Sequence, residues 1–390
     1  MSGSRRRVLV VVVVTVASLA AFGIGGALAS ARHRSGHRSA HHGHIARYRT
    51  GPYARSHHRG LSVRQVMAGT RQVRSRVIVV LRNQLPALPA NRHHVHARIA
   101  AESSADATIE SDVARSGGRI YRRYHALNAF AASVSARERA ALASSGQVAQ
   151  VLPDTVVQLP TQDNGPFNSN ASPAQVDASQ QSCSTDPSNP MLEPEALQTT
   201  HTAYSDSSIP QAQNLATGAG VKVAFFADGI DVNNPDLIRT DGSHVIIDYK
   251  DFSGEGPNAA SNSLEAFGDA SSIAAQGNQV YNYSDFANPA HRPTTPCYIR
   301  VQGIAPGASL IAIKVFGNAD SAYNSVILQG LDYALTNDHP DVISESFGGY
   351  PIPDSTPDLT RQFNEQAVAD GVTVVESTGD SGVQAGPSSA

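Results

Sequence analysis

Hydrophobic residues along the chain fall into short runs of strand length, set between longer stretches with helical spacing. In the first half the runs are Arg76–Leu81, Gly118–Tyr124, Ala126–Val134 and Val148–Leu152. A helical stretch over 92–115 follows the first run, and a short helix starts at Ser135, whose hydroxyl is placed to cap it ahead of Glu138. The order β-α-β-β-α-β predicts a small α+β ferredoxin-like unit over 76–160. From Gly218 the pattern becomes strand and helix in alternation: VKVAFF, a helix near 264–276, SLIAIKVF, a helix near 320–336, DVISESF, a helix near 357–369, and VTVVES. Strand-length apolar runs alternating with helices predict a doubly wound parallel α/β sheet, covered on both faces, over 201–390.

The segments outside these units read differently. Arg5, Arg6 and Arg7 precede the apolar run Val8–Leu28, which ends in small residues, the layout of a secretory signal over 1–31 with cleavage after Ala29 or Ala31. The same run approaches the 18 to 20 or so apolar residues that span a bilayer, so an uncleaved anchor is the alternative. Residues 32–75 mix Arg, His, Ser and Gly without periodicity and read as a solvated, disordered linker. Such a segment lacks the fixed geometry a His-rich metal site requires. Residues 161–200, rich in Pro, Ser, Asn and Gln and devoid of basic residues, read as an exposed connector open to maturation cleavage.

Charge sharpens the division. Residues 1–160 carry 23 basic and 6 acidic residues, whereas 161–390 carry 7 and 27. A basic half invites a nucleic-acid reading, but an acidic partner already lies in the same chain, so no nucleic-acid partner is expected. The two cysteines, Cys183 and Cys297, rule out a CxxC-type thiolate metal site. An exported chain can join them, and their spacing leaves the pairing open.

Three stretches of the first unit, VIVVL, YHALNAFAASVSARERAAL and SGQVAQVLPDTVVQL, resemble the inhibitory prosegment of subtilisin-type proteases. The resemblance implies a domain that templates folding of an enzyme and lays its C-terminal tail across the active site. Three segments of the second unit resemble the subtilisin superfamily: GVKVAFFADGIDVNNPDL (220–237), GIAPGASLIAIKVFG (303–317) and DVISESFGG (341–349). In this resemblance Ser346, Phe347 and Gly348 lie on the strand that pairs with an extended peptide substrate.

The site residues depart from the Ser-His-Asp set of subtilisins. In gapless register the catalytic Asp falls on Ala227, with Asp228 one residue late. A one-residue slip turns a strand side chain to the other face, so Asp228 substitutes only if the strand end bulges. EAFGDASSIAAQG (265–277) stands where the histidine segment is expected, and Asp380, in VVESTGDSG, replaces the Asn that donates to the oxyanion. Together these departures resemble a sedolisin-type site. On a helix Glu265 and Asp269, spaced i, i+4, share one face, and like charges that close raise one pKa. The resemblance implies Glu265 as general base, Asp269 as its orienting partner, and a protonated Asp380 as oxyanion donor, with an acid-shifted working range.

Gly379-Asp380-Ser381-Gly382 also spells the GDSG of chymotrypsin-like proteases. That reading needs an all-β double barrel and an Ala-Ala-His-Cys segment, and neither is present. The superfamily nucleophile lies in Gly-Thr-Ser, which is absent from the 390 residues. The expectation is therefore the N-terminal part of a longer, secreted serine endopeptidase precursor, inactive as given. The alternative is an exported, noncatalytic peptide-binding protein. No cofactor is identifiable, although the resemblance admits calcium. The expected partners are protein or peptide substrates and the prosegment itself as intramolecular inhibitor, with a membrane met only through the export signal.

Eleven of the 15 histidines lie in residues 1–160. They gain charge below pH about 6, while ordinary carboxylates lose theirs only near pH 4. Falling pH should thus tighten inhibition first and release it later.

Overall fold

The computed structural model describes residues 73–158, 184–194, 196–256, 265–286, 294–348 and 357–377. The signal and most of the linker, along with Cys183, Asp380 and Ser381, lie outside the described residues.

The first unit is an antiparallel sheet of β1 (Arg74–Leu81), β2 (Arg119–Tyr124), β3 (Ala129–Ser135) and β4 (Val148–Pro153), in the order β2-β3-β1-β4. Strand alternation gives it two apolar faces. Val77, Val79, Phe130 and Val134 pack beneath the unit's own helices, against Ile109, Val113 and Leu142. Ile78, Val80, Tyr124 and Ala131 instead join the core of the second unit. The helix expected over 92–115 is two, α1 (Val95–Ala105) and α2 (Ala107–Arg115), meeting at Asp106. The run Glu102-Ser-Ser-Ala-Asp supplies side chains that compete for backbone groups. Helix α3 (Ala136–Ser144) opens on the predicted capping box: Ser135 Oγ accepts from Glu138 N at 3.3 Å, and Glu138 Oε2 accepts from Ser135 N at 2.5 Å. A last strand, β5 (Val156–Gln158), leaves this unit.

The second unit confirms the doubly wound α/β fold. A short strand β6 (Met191–Glu193), within the stretch read as a connector, is followed by β7 (Lys222–Ala227) and β8 (Ile246–Asp251). After helix α4 (Glu265–Ala274) come β9 (Tyr281–Asn282), β10 (Tyr298–Val301), β11 (Ser309–Lys314) and β12 (Ser321–Tyr323). Helix α5 (Asn324–Tyr333), β13 (Val342–Glu345), helix α6 (Leu359–Ala369) and β14 (Thr373–Glu376) complete the described residues. Five strands form a parallel sheet in the order β14-β13-β7-β11-β8. Helix α4 covers one face through Ala266, Ala270 and Ala274 against Phe225 and Leu310. Helices α5 and α6 cover the other, with Leu331 and Phe363 against Phe226 and Ile313. Strand β6 pairs with β10, and its Leu192 is fully buried. Cys297 is buried and disulfide-bonded.

The GIAPGA segment shows why its first glycine is required. Backbone N–H groups of Gly303, Ile304 and Ala305 donate to the carbonyls of Ala275, Ser272 and Ile273, satisfying the C-terminal end of α4. A Cβ on Gly303 would lie 2.3 Å from Ala274 N. Gly303→Ala is therefore expected to destabilise the chain by about 3 kcal/mol, by overpacking against backbone. A denaturant midpoint shift of that size checks it.

The two units share helix α5. Asp154 of the first unit, 6% exposed, accepts from Ser325 N at 2.9 Å, capping a helix that has no side-chain cap of its own. Its other oxygen accepts from Arg76 Nε (2.9 Å) and Tyr121 OH (2.8 Å). Farther along α5, Asp332 Oδ1 accepts from His125 N (2.5 Å) and Ala126 N (2.6 Å). Strand β5 pairs antiparallel with β12. Among the described residues the contact includes a helix cap, strand pairing and apolar burial.

Candidate active site

The candidate site gathers where β7, β13 and α4 converge. Helix α4 begins at Glu265, and its residues at i, i+1 and i+4 set the local chemistry. Ala266 is buried against the sheet, which places the polar flank of Glu265 and Asp269 along the sheet's C-terminal edge.

Asp228, just beyond β7, is 2% exposed, and its Oδ1 accepts from Ala266 N at 2.8 Å. A strand-end carboxylate 38 residues upstream thereby caps the N-terminus of α4, where the helix dipole favours negative charge. Ala227, in the position of the expected Asp, is fully buried in the apolar core beneath α4. Asp228 is thus turned toward α4 as well, and its observed contact is with the helix backbone.

Asp269 meets β13. Ser346 Oγ donates to Asp269 Oδ1 at 2.7 Å, while Asp269 Oδ2 is buried without a hydrogen-bond partner. Burial pushes the Asp269 carboxyl up to about 7; the Ser346 hydrogen bond opposes this, and the charges of Glu265 and Asp228 add to it. Asp320, at φ +48°, has a carboxyl raised by burial and by the charge of Asp228. Asp228, Glu265 and Asp269 therefore gather at the start of α4, with the Ser346 hydroxyl on Asp269.

Of the substrate-strand residues, Ser346 is engaged with Asp269. Phe347 is a core residue, its ring edge-on to Phe226 (6.4 Å) and Phe316 (5.8 Å). Gly348 is exposed, and a Cβ there would meet nothing within 4 Å. The sequence alone missed Ser346 as the partner of Asp269 and Asp228 as the cap of α4. Ser346 was visible only as part of a strand motif, and the cap spans two elements distant in sequence. Among the described residues no three His, Cys, Asp or Glu side chains form a metal-holding group. The buried loop acid Asp236 is taken up by Asn278 N, Gln279 N and Tyr281 OH.

The cap and the charge of Asp228 are separable. Asp228→Ala is expected to cost about 1–2 kcal/mol of stability, and Asp228→Asn, which keeps an acceptor, much less. Both variants should lower the Asp269 titration midpoint from about 7, because a neighbouring negative charge is removed. Carboxyl ¹³C titration measures it.

Comparison with known proteins gives a family match for each unit. Residues 218–390 match the subtilase family, and residues 76–160 match peptidase inhibitor I9. The second unit is thus similar to the subtilase family, and the first to peptidase inhibitor I9. It is 32% identical to subtilisin E of Bacillus subtilis (strain 168) over 170 residues, covering 43% of this chain and 36% of that protein. An intracellular serine protease of Paenibacillus polymyxa is 30% identical over 182 residues, 44% of this chain and 45% of that one. The minor extracellular protease Vpr of Bacillus subtilis (strain 168) is 29% identical over 168 residues, 43% of this chain and 18% of that protein. The chain thus spans little more than a third of the length of subtilisin E. Helix α5, bonded through Asp154 and Asp332, joins the region similar to I9 to the region similar to subtilases.

Proposed function

We propose that this chain belongs to a secreted, acid-acting serine endopeptidase precursor whose base is a carboxylate rather than a histidine. The observation that carries this reading is Asp269: a buried carboxyl, one turn from Glu265, with one oxygen accepting from Ser346 and the other without a partner. A buried carboxyl oxygen without a donor is best satisfied by carrying the proton itself. A protonated Asp269 donates to Glu265, orients it, and leaves Glu265 ionised at the positive end of α4. Glu265 then takes the proton of the nucleophilic hydroxyl as the O–C bond to the scissile carbonyl forms, and returns it to the leaving amine. Asp380, protonated, donates to the developing oxyanion. This is sedolisin-like chemistry on a subtilase sheet, with protein substrates pairing along 346–348.

The nucleophile is a Gly-Thr-Ser serine supplied by a longer reading frame. Export follows from Arg5–Arg7 and the apolar run after them. The test is to extend the reading frame past Ala390, express the product and assay hydrolysis of an unfolded protein between pH 3 and 8. Serine-dependent hydrolysis with a maximum well below pH 7 supports the proposal. A frame that stops without that serine supports the noncatalytic, peptide-binding alternative.

The I9 domain acts in this reading as the intramolecular inhibitor, and its contact senses pH. Burial pushes Asp332 up to about 6 against the opposing effect of two backbone donors. Burial works to lower His125, but the hydrogen bond it donates to Glu102 and the charges of Asp332 and Glu102 carry it above its ordinary value. A group raised in the docked state contributes binding that is present at low pH and lost as pH rises through its docked value. Docking is therefore expected to strengthen as pH falls from 7 toward 5. Amide exchange at His125 and Ala126 should slow over that interval, and an unchanged rate would contradict it.

A further inference from the structure

Glu345 ends β13, is 3% exposed and takes no part in the mechanism above. Its Oε2 accepts from Asn364 Nδ2 of α6 at 2.9 Å, and the same amide nitrogen also donates to Glu376 Oε1 on β14. Glu345 and Glu376 are register partners across the two parallel strands. Two acceptors in this cluster, Glu345 Oε1 and Asn364 Oδ1, are buried with no hydrogen-bond partner. The charged groups facing Glu345 are Glu376 on β14 and Asp358 at the start of α6, both acidic. A buried carboxyl with acids and an amide around it, and orphan acceptors beside it, is stable only when it carries a proton.

The position of Glu345 gives that proton a consequence. Strand alternation turns the next residue, Ser346, to the opposite side, where its hydroxyl holds Asp269. The Glu345 carbonyl accepts from Ser377 N at 2.9 Å, so its backbone ties β13 to β14 while its side chain ties both to α6. We propose that Glu345 works as a neutral acid that positions Ser346, and through it Asp269. The inference rests on the reading of Asp269 as part of the acid/base pair, but its test needs no turnover. Ionising Glu345 places a third charge beside Glu376 and Asp358, loosens the β13 end, and weakens the Ser346–Asp269 hydrogen bond.

Burial pushes Glu345 up to about 8; the Asn364 hydrogen bond opposes this, and Glu376 and Asp358 reinforce it. The stability it contributes is full below its unfolded value of about 4.5 and is lost as pH rises through about 8. The experiment compares the 390-residue chain with Glu345→Gln, which keeps a neutral side chain at every pH. From pH 5 to 8 the unfolding constant of the parent should rise relative to the variant by about tenfold per pH unit, one proton's worth. Asp269 and Asp332 are present in both proteins, so the difference between the two stability profiles isolates the ionisation of Glu345 and what it does to its neighbours. In carboxyl ¹³C spectra the Asp269 resonance of the parent should show a second inflection near pH 8, absent from Glu345→Gln. Parallel stability profiles would overturn the neutral acid. Diverging profiles with a single Asp269 inflection would overturn the positioning role and leave a purely structural one. Loss of activity in the longer enzyme on replacing Glu265 bears on the catalytic reading and leaves both outcomes unaffected.

Discussion

Glu265→Ala and Asp269→Ala are each expected to slow self-processing of the serine-bearing precursor by about 10²- to 10⁴-fold, the usual worth of a positioned general base. The two losses should not add, because base and orienting partner act as one unit. Folding should survive both changes. Glu265 is partly exposed at the start of α4, and the helix keeps its cap from Asp228 to Ala266 N. Removing Asp269 deletes a carboxyl that burial has pushed up to about 7 and that is disfavoured as an anion. Its stabilising contribution is present below its unfolded value and fades as pH rises through 7, so Asp269→Ala should narrow the stability gap between pH 5 and 8. Processing retained in both variants would return attention to Asp228 as the acting carboxylate.

Asp154→Ala is the second large effect. It removes the cap of α5 and leaves Arg76, Tyr121 OH and Ser325 N facing a buried gap. Losing a buried, multiply bonded carboxylate costs about 2–4 kcal/mol, or roughly 30- to 1,000-fold in the docking equilibrium. The readout is amide exchange at His125 and Ala126, which bond to Asp332 farther along α5 and report on separation of the units rather than on the deleted contact. Exchange accelerated within that range is expected. Acceleration confined to Ser325 would show that Asp154 caps the helix without holding the domains together.

Most of the fold was legible because its signals are local. The Ser135/Glu138 capping box, the alternating runs of β1 and β3, and the strand-helix alternation after Gly218 each depend on residues close in sequence. Asp106, where the expected single helix divides, was hidden because a polar run keeps helical composition. Strand β8 was missed because Asp248 and Lys250 interrupt its apolar run at the sheet edge. At the site, the i, i+4 spacing of Glu265 and Asp269 was readable, since one helix carries both. The cap from Asp228, the Ser346 hydroxyl on Asp269 and the Glu345–Asn364–Glu376 cluster were not. Each joins elements whose proximity only the parallel sheet creates.

The central claim is that a buried, protonated carboxyl stands beside Glu265 where a histidine would otherwise serve. Its most direct test is the carboxyl ¹³C titration of Asp269 in the 390-residue chain. The account predicts a midpoint near 7, falling when Glu265→Gln removes the neighbouring charge. An Asp269 that titrates near 4, indifferent to that substitution, would contradict it.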